Sequence, residues 1–449
     1  MGRALAAFAA ALTIAGTAAP ARAETAFRDG HGLEVVSVKR LSGRLVDITV
    51  RTDALDEPAG VRVLLPKGYE KTTRRYPVLY LLHGGVGSYV DWTEQGDAER
   101  ITADVPLIVV MPDGGGNGNY TDWYNFGAGG PPRWETFHIN QLIPWVDDNL
   151  RTVRKRTGRG LAGLSMGGGG TMQYASRHPD MFVSAASFSG AVDTNYPPVQ
   201  VLIEASPTFS GTPTRSVYGP RATEEVRWRG HNPWDLAGNL RGLALALYAG
   251  NGQPREGQCC APLDPVEYGT YEMSRSLHRR LQDLGIDHRW VEGLGQHQWG
   301  DWQRYLRAWL PAMMDVFADP PPRPSRIAYT AVEPSYGVYG WRVSLRRAAP
   351  EFSLLSAGSG GFSVTGSGAA VVRTPPRYEP GSSHAVWVAP EGDRCVRRRV
   401  TADDGGRLTV SLPLGPPNPD QQFTAAARLS GTRMFTSTAY VDVPGWRCR

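Results

Sequence analysis

Short runs in which nearly every residue is apolar punctuate the first two thirds of the chain: Val61 to Leu65, Pro77 to Leu82, Leu107 to Met111, Gly160 to Leu164 and Leu243 to Tyr248. Strands buried on both faces have this composition, so each run predicts a parallel strand in a sheet covered by helices. Leu277, Leu281 and Leu284 recur at helical spacing just before a last such strand, His288 to Val291. Strands alternating with helical stretches predict a doubly wound, mostly parallel α/β sheet.

After Phe317 the pattern changes. Ala318-Asp319-Pro320-Pro321-Pro322-Arg323-Pro324-Ser325 holds a proline cluster that neither a helix nor a central strand accepts, and residues 318–326 read as a linker. Beyond it, Trp341 to Leu345, Phe362 to Val364, Ala385 to Val388, Leu408 to Leu412 and Thr438 to Val441 are short strand candidates separated by Gly, Pro and Ser, with no clear helix. Residues 327–449 are therefore expected to form a smaller all-β, sandwich-like domain, in which Trp341 and Trp387 are either core or exposed binding residues. A chain of 449 residues also exceeds what one core usually supports.

At the other end, Met1-Gly2-Arg3, an alanine-rich apolar stretch to Ala19 and Ala21-Arg22-Ala23 have the three parts of a secretory leader, with cleavage expected before Glu24. The apolar run is short for a membrane anchor, and no later segment is long enough to span a bilayer. The expected organisation is thus a leader over 1–23, an α/β region over 24–317, the linker over 318–326 and the β domain over 327–449. An exported protein is free to form disulfides, and Cys395 and Cys448 are expected to pair. The adjacent Cys259 and Cys260 could be bridged or free.

The formal charge of +5 becomes +3 without the leader, whose charged side chains are Arg3 and Arg22. A balance this mild points to no particular partner. Arg397, Arg398 and Arg399 are expected on a solvated strand, because no aromatic platform is interleaved with them, and nucleic acid is not an expected partner. No Cys/His spacing suggests a metal site, and no cofactor is expected.

Chemistry enters at Gly163-Leu164-Ser165-Met166-Gly167, directly after a strand-like run and before the helix-like Thr171 to Arg177. In G-x-S-x-G the glycines let neighbouring backbones approach while a sharp strand-to-helix turn lifts the serine hydroxyl clear of the sheet. With 53 glycines a chance match is possible, but the strand and helix around this one argue against chance. A serine needs a base, and His297 is the best placed of the later histidines, in the glycine-bounded loop Gly293 to Trp299 past the last strand. For the acid, Asp264 and Glu267 both open the helix that carries Leu277, and both also suit a helix-capping pair; spacing does not choose between them. The donors for a developing oxyanion are expected to be the backbone N–H groups of Met166 and of Gly85, in Leu82-His83-Gly84-Gly85.

Together these residues resemble the putative-esterase branch of the α/β-hydrolase superfamily, which includes S-formylglutathione hydrolases and secreted mycolyltransferases. The likeness covers most of residues 33–315. It also rests on Met111-Pro112, Tyr120-Thr121-Asp122-Trp123-Tyr124, Tyr218-Gly219-Pro220, Asn232-Pro233, Tyr248-Ala249-Gly250-Asn251-Gly252 and His297-Gln298-Trp299. The resemblance implies an α/β-hydrolase fold with Ser165 as nucleophile, His297 as base, Glu267 as the orienting acid, and Trp299, Trp92 and Trp123 lining the acyl or sugar site. It departs where mycolyltransferases carry an Asp before the oxyanion glycine and an Arg after it. Here His83 and then Val86-Gly87-Ser88 stand there, so contacts to trehalose are not implied.

The expected activity is hydrolysis of acyl esters through a Ser-Glu-His triad and an acyl-enzyme. Its alternatives are acyl transfer to a sugar or glycerol hydroxyl and a polymer- or cell-wall-binding role. The expected partner is an ester substrate, with a carbohydrate as acceptor in the second case.

Overall fold

The computed structural model describes residues 26–255, 262–443 and 448; the leader and Cys259-Cys260 lie outside the described residues. The first sheet has nine strands: β1 (Glu34–Arg40), β2 (Leu45–Arg51), β3 (Ala59–Leu64), β4 (Val78–Leu82), β5 (Ile108–Pro112), β6 (Arg159–Leu164), β7 (Ser184–Phe188), β8 (Ala244–Gly250) and β9 (His288–Gly293). Their spatial order is β1-β2-β3-β5-β4-β6-β7-β8-β9. From β5 to β9 every neighbouring pair is parallel. Helices cover both faces, over one core that includes Tyr80, Phe182 and Leu277 and another that includes Trp92, Phe188 and Leu306. This is the α/β-hydrolase arrangement.

Two expectations need correction here. The run Val61 to Leu65 falls in β3 as far as Leu64, and β3 is antiparallel to both β2 and β5. It is buried on both faces, and burial rather than direction makes a strand uniformly apolar. The helix after the serine is also longer than its apolar part: it spans Met166–Arg177 and includes four consecutive glycines. Those glycines are required by close approach. A Cβ on Gly167 would stand 2.3 Å from the carbonyl oxygen of His83, and one on Gly170 would meet the Tyr120 ring at 2.5 Å.

The second region is all antiparallel apart from one short helix, Ala425–Ser430, which the sequence pattern does not disclose. Its strands are β10 (Ile327–Ala331), β11 (Ser335–Val338), β12 (Trp341–Arg346), β13 (Ser353–Gly358), β14 (Gly361–Gly366), β15 (Gly368–Arg373), β16 (Ser383–Pro390), β17 (Val396–Thr401), β18 (Thr409–Leu414) and β19 (Phe435–Val441). They form a six-stranded sheet, β10-β13-β14-β19-β16-β17, and a four-stranded one, β11-β12-β15-β18. Alternate residues from both sheets, among them Trp341, Val364, Val386 and Leu412, make the shared core. Trp341 is thus a core residue, whereas Trp387 is half-buried. Cys395 and Cys448 are disulfide-bonded. The arginine run lies on the exposed edge strand β17, and a neighbouring strand does supply an aromatic platform: the Arg397 guanidinium sits 5.4 Å from the centre of the Trp387 ring.

The sandwich grips the first region around the end of the Met166–Arg177 helix. Arg177 is paired with Glu135 at 2.9 Å and with Glu333, just past β10, at 2.6 Å. Its carbonyl accepts the Tyr329 hydroxyl at 2.6 Å, and the Asn239 amide brackets the backbone of Thr330 at 2.8 Å on each side. Among the described residues no helix is long and apolar enough to cross a membrane.

Candidate active site

Ser165 occupies the one-residue turn between β6 and the Met166–Arg177 helix, with φ 54° and ψ −119°. A non-glycine residue held there stores strain of about 1–3 kcal/mol, which the surrounding packing must sustain. The packing leaves little choice: a Cβ on Gly163 would stand 2.4 Å from the carbonyl oxygen of Gly167.

The loop after β9 brings His297 to this turn, with Nε2 2.9 Å from Ser165 Oγ. On the other side of the ring, Nδ1 lies 2.7 Å from Glu267 Oε2. Glu267 is fully buried. Its Oε1 accepts hydrogen bonds from the Gly250 N–H at 2.6 Å and the Ser189 hydroxyl at 2.8 Å, so the carboxylate is fixed from both ends. A carboxylate can only accept, so Nδ1 carries the ring proton and Nε2 turns a lone pair toward the serine hydroxyl.

The two acids that spacing could not separate have different positions. Asp264 is the N-cap of the Pro265–Asp283 helix, its Oδ1 accepting from the Val266 and Glu267 N–H groups at 2.9 and 3.1 Å. Its Oδ2 accepts the backbone N–H of His297 at 2.8 Å, so it touches the histidine's main chain and not its ring. Burial alone would raise this carboxyl, but the N–H groups of His297, Glu267 and Val266 hold it below the ordinary aspartate value.

Gly85 and Met166 both border the cleft over Ser165, and neither backbone N–H has a protein partner among the described residues. The cleft has a volume of about 620 Å³. Its wall is largely apolar, with Tyr196, Val199, Leu202, Ile203, Tyr218 and Met273, and Asn119, Gln173 and Thr194 supply polar edges.

The three tryptophans expected to line the site do not do so. Trp92 is 1% exposed and donates its indole N–H to the Leu82 carbonyl at 2.8 Å. Trp123 is buried and donates to Gly118. Trp299 stacks edge-on between Trp92 and Trp302. Their large apolar rings are used as packing beneath the loops. Trp302, which the sequence reading passes over, packs edge-on to the His297 ring at 4.9 Å and donates to Ser189 Oγ at 3.2 Å. Its position in the first turn of the Trp299–Ala318 helix, five residues after His297, was the available signal. Ser189 carries no motif and could not have been found from the sequence.

The fold and this constellation define a class, the α/β hydrolases with a serine elbow. Residues 52–313 match the family described as Putative esterase, and the chain belongs to that family. It is 35% identical over 276 residues to "Esterase Rv1288" of Mycobacterium tuberculosis, an alignment that takes in 60% of this chain and 59% of that protein. The chain thus spans about three fifths of the length of these relatives. It is 31% identical over 253 residues to "Diacylglycerol acyltransferase/mycolyltransferase Ag85B" of Mycobacterium leprae, covering 54% of this chain and 76% of the relative. The crystal structure of Mycobacterium tuberculosis MPT51 superposes with a TM-score of 0.50 at 23% identity, over 62% of this chain and 98% of that one, a likeness of fold.

Proposed function

We propose that this chain is an exported serine esterase. In this reading Ser165 Oγ attacks an ester carbonyl carbon while His297 Nε2 takes the hydroxyl proton. His297 then returns that proton to the departing alcohol, leaving an acyl-serine. Water enters next and gives a proton to Nε2 as its oxygen bonds to the acyl carbon; Nε2 then returns that proton to Ser165 Oγ as the acyl–Oγ bond breaks, releasing the carboxylic acid and restoring the serine. Glu267 keeps the imidazole in the useful tautomer, and the Gly85 and Met166 N–H groups stabilise the oxyanion. The observation that carries this reading is the hydrogen-bonded chain from Ser165 through His297 to Glu267, at 2.9 and 2.7 Å.

Export is supported by the leader pattern at the N-terminus and by the Cys395–Cys448 disulfide. The division into 24–317, 318–326 and 327–449 belongs to the same proposal; it is supported by a family match ending at 313 and a first sandwich strand beginning at Ile327.

A second reading, transfer of the acyl group to a sugar or glycerol hydroxyl, is favoured by the likeness to the diacylglycerol acyltransferase/mycolyltransferase. One experiment tests both. Ser165→Ala should abolish turnover of p-nitrophenyl butyrate while leaving the thermal unfolding midpoint in place; unchanged turnover refutes the nucleophile. With the native chain and a lipid ester donor, free acid should dominate whether or not trehalose or diacylglycerol is added. A majority of acylated acceptor would select transfer instead.

A further inference from the structure

The outer face of the six-stranded sheet, turned away from the sandwich core, carries an ordered stripe that the proposed chemistry does not use. Cross-strand pairing aligns Gly358, Gly361, Tyr440, Trp387 and Arg397 on consecutive strands β13, β14, β19, β16 and β17. Arg326, immediately before β10, completes the line, since its side chain lies against Gly358. Five strand spacings make this stripe about 24 Å long, running across the strands.

Each position contributes something different. Tyr440 and Trp387 are half-buried aromatic residues side by side, with the Arg397 guanidinium 5.4 Å from the Trp387 ring centre. The two glycines leave the floor bare between the aromatics and Arg326. Gly361 is explained by its backbone, because a Cβ there would lie 2.3 Å from the Ala439 carbonyl oxygen. Gly358 has no such reason: its nearest neighbour would be Arg326 at 3.9 Å, so a side chain has room there and is lacking. Beside the stripe runs a second row, Ser356, Ser363 and Thr438, paired across β13, β14 and β19, which supplies hydroxyls. Arg326, Gly358, Gly361 and Tyr440 of the stripe and the hydroxyl row line a groove of about 640 Å³ that continues to the junction with the first region, and Trp387 and Arg397 extend the stripe past its end on the next two strands.

We infer that this face binds an anionic polysaccharide laid across the strands. Aromatic faces stack on the apolar faces of sugar rings, the hydroxyl row meets ring hydroxyls, and a flat floor admits a chain. Charge selects the class: Arg326, Arg397 and Arg399 are exposed on this face, whereas Asp442, which shares it, is taken up by His384 and the Ala385 N–H. The inference does not depend on the esterase reading.

The test is affinity electrophoresis of the full chain through gels containing polygalacturonate, neutral dextran or double-stranded DNA. Polygalacturonate should retard the protein, dextran should retard it at least tenfold less, and DNA should not match polygalacturonate. Trp387→Ala and Arg397→Ala should each raise the dissociation constant tenfold or more, while Trp387→Phe keeps most of the binding. Gly358→Leu, which fills the groove without removing a contact, should also abolish retardation. The circular dichroism spectrum and thermal unfolding profile should stay native-like in all four variants, which shows that the sandwich is folded. No retardation by polygalacturonate, equal retardation by DNA, or undiminished binding by folded Trp387→Ala and Gly358→Leu variants would each overturn the inference.

Discussion

Replacing Glu267 by glutamine is the most discriminating perturbation, because both carboxylate oxygens serve as acceptors and an amide can supply only one. Oε1 accepts from two donors, the Gly250 N–H and the Ser189 hydroxyl, and Oε2 accepts from His297 Nδ1. Glutamine has one oxygen and one NH2. With the oxygen kept toward Gly250, the NH2 faces His297 and forces the ring into the other tautomer, so that Nε2 carries a proton and cannot take one from Ser165. Loss of the correct tautomer in the geometrically equivalent arrangement of serine proteases costs roughly 10⁴-fold in kcat, or about 5.4 kcal/mol of barrier. With the amide flipped, the NH2 meets two donors in a fully buried site, and folding loses about 1–3 kcal/mol instead. Glu267→Gln should therefore either fall by about four orders of magnitude in kcat for p-nitrophenyl butyrate at a near-native urea midpoint, or lose activity together with stability. Stopped-flow and steady-state hydrolysis, beside urea unfolding, separate these outcomes. A stable Glu267→Gln protein within tenfold of native activity, beside an inactive Asp264→Asn, would refute the reasoning and move the acid to Asp264.

Three further outcomes follow from the same geometry. Asp264→Ala removes both the helix N-cap and the acceptor for the His297 N–H, so it should cost about 0.5–2 kcal/mol in urea unfolding and lower kcat without raising KM; a fall in stability with native kcat would show that the hold on His297 is immaterial. Ser165→Gly should be inactive yet unfold at a higher temperature than Ser165→Ala, because only glycine adopts φ 54° and ψ −119° without strain; equal midpoints would argue against strain at the elbow. Burial pushes His138 and His231 down to about 4, whereas in the unfolded chain histidine titrates near 6.5. Their contribution to stability is then whole above pH 6.5 and drains away as pH falls toward 4, at about 1.4 kcal/mol per pH unit for each group. Burial by itself would raise Glu135, yet Arg177 and His178 hold it well below the usual carboxylate range. Its share also survives at neutral pH and is lost in acid. The urea midpoint should drop steeply between pH 6.5 and 4, and a flat profile there would contradict the buried neutral histidines.

The sheet and the principal residues of the candidate site were legible because each has a local cause. A buried strand must be apolar, a sharp elbow must have glycines, and a base must lie past the end of a strand. What escaped depends on partners distant in sequence. Strand β7, Ser-Ala-Ala-Ser-Phe, looks too small and polar for a core strand, yet Ser187 needs its small side chain because Gly168 of the elbow helix packs against it. The direction of β3 left no trace in its composition, since both faces are covered whichever way it runs. The tryptophans were assigned to the cleft by family likeness, and only the packing reveals that Trp92, Trp123 and Trp299 are spent beneath it. The choice between Asp264 and Glu267 turned on which oxygen reaches a ring and which a main-chain amide, a distinction that spacing does not carry.

The helix that begins at the strained serine ends, twelve residues later, in the arginine that the β-sandwich holds. That rod is about 18 Å long, and its two ends answer to different halves of the molecule. Cutting the chain after the proline cluster would strip Arg177 of one of its two carboxylate partners and leave a wedge of hydrated charge at the root of the elbow. The β-sandwich therefore braces the far end of the rod that carries the hydroxyl, and a chain trimmed to the first region would begin without that brace.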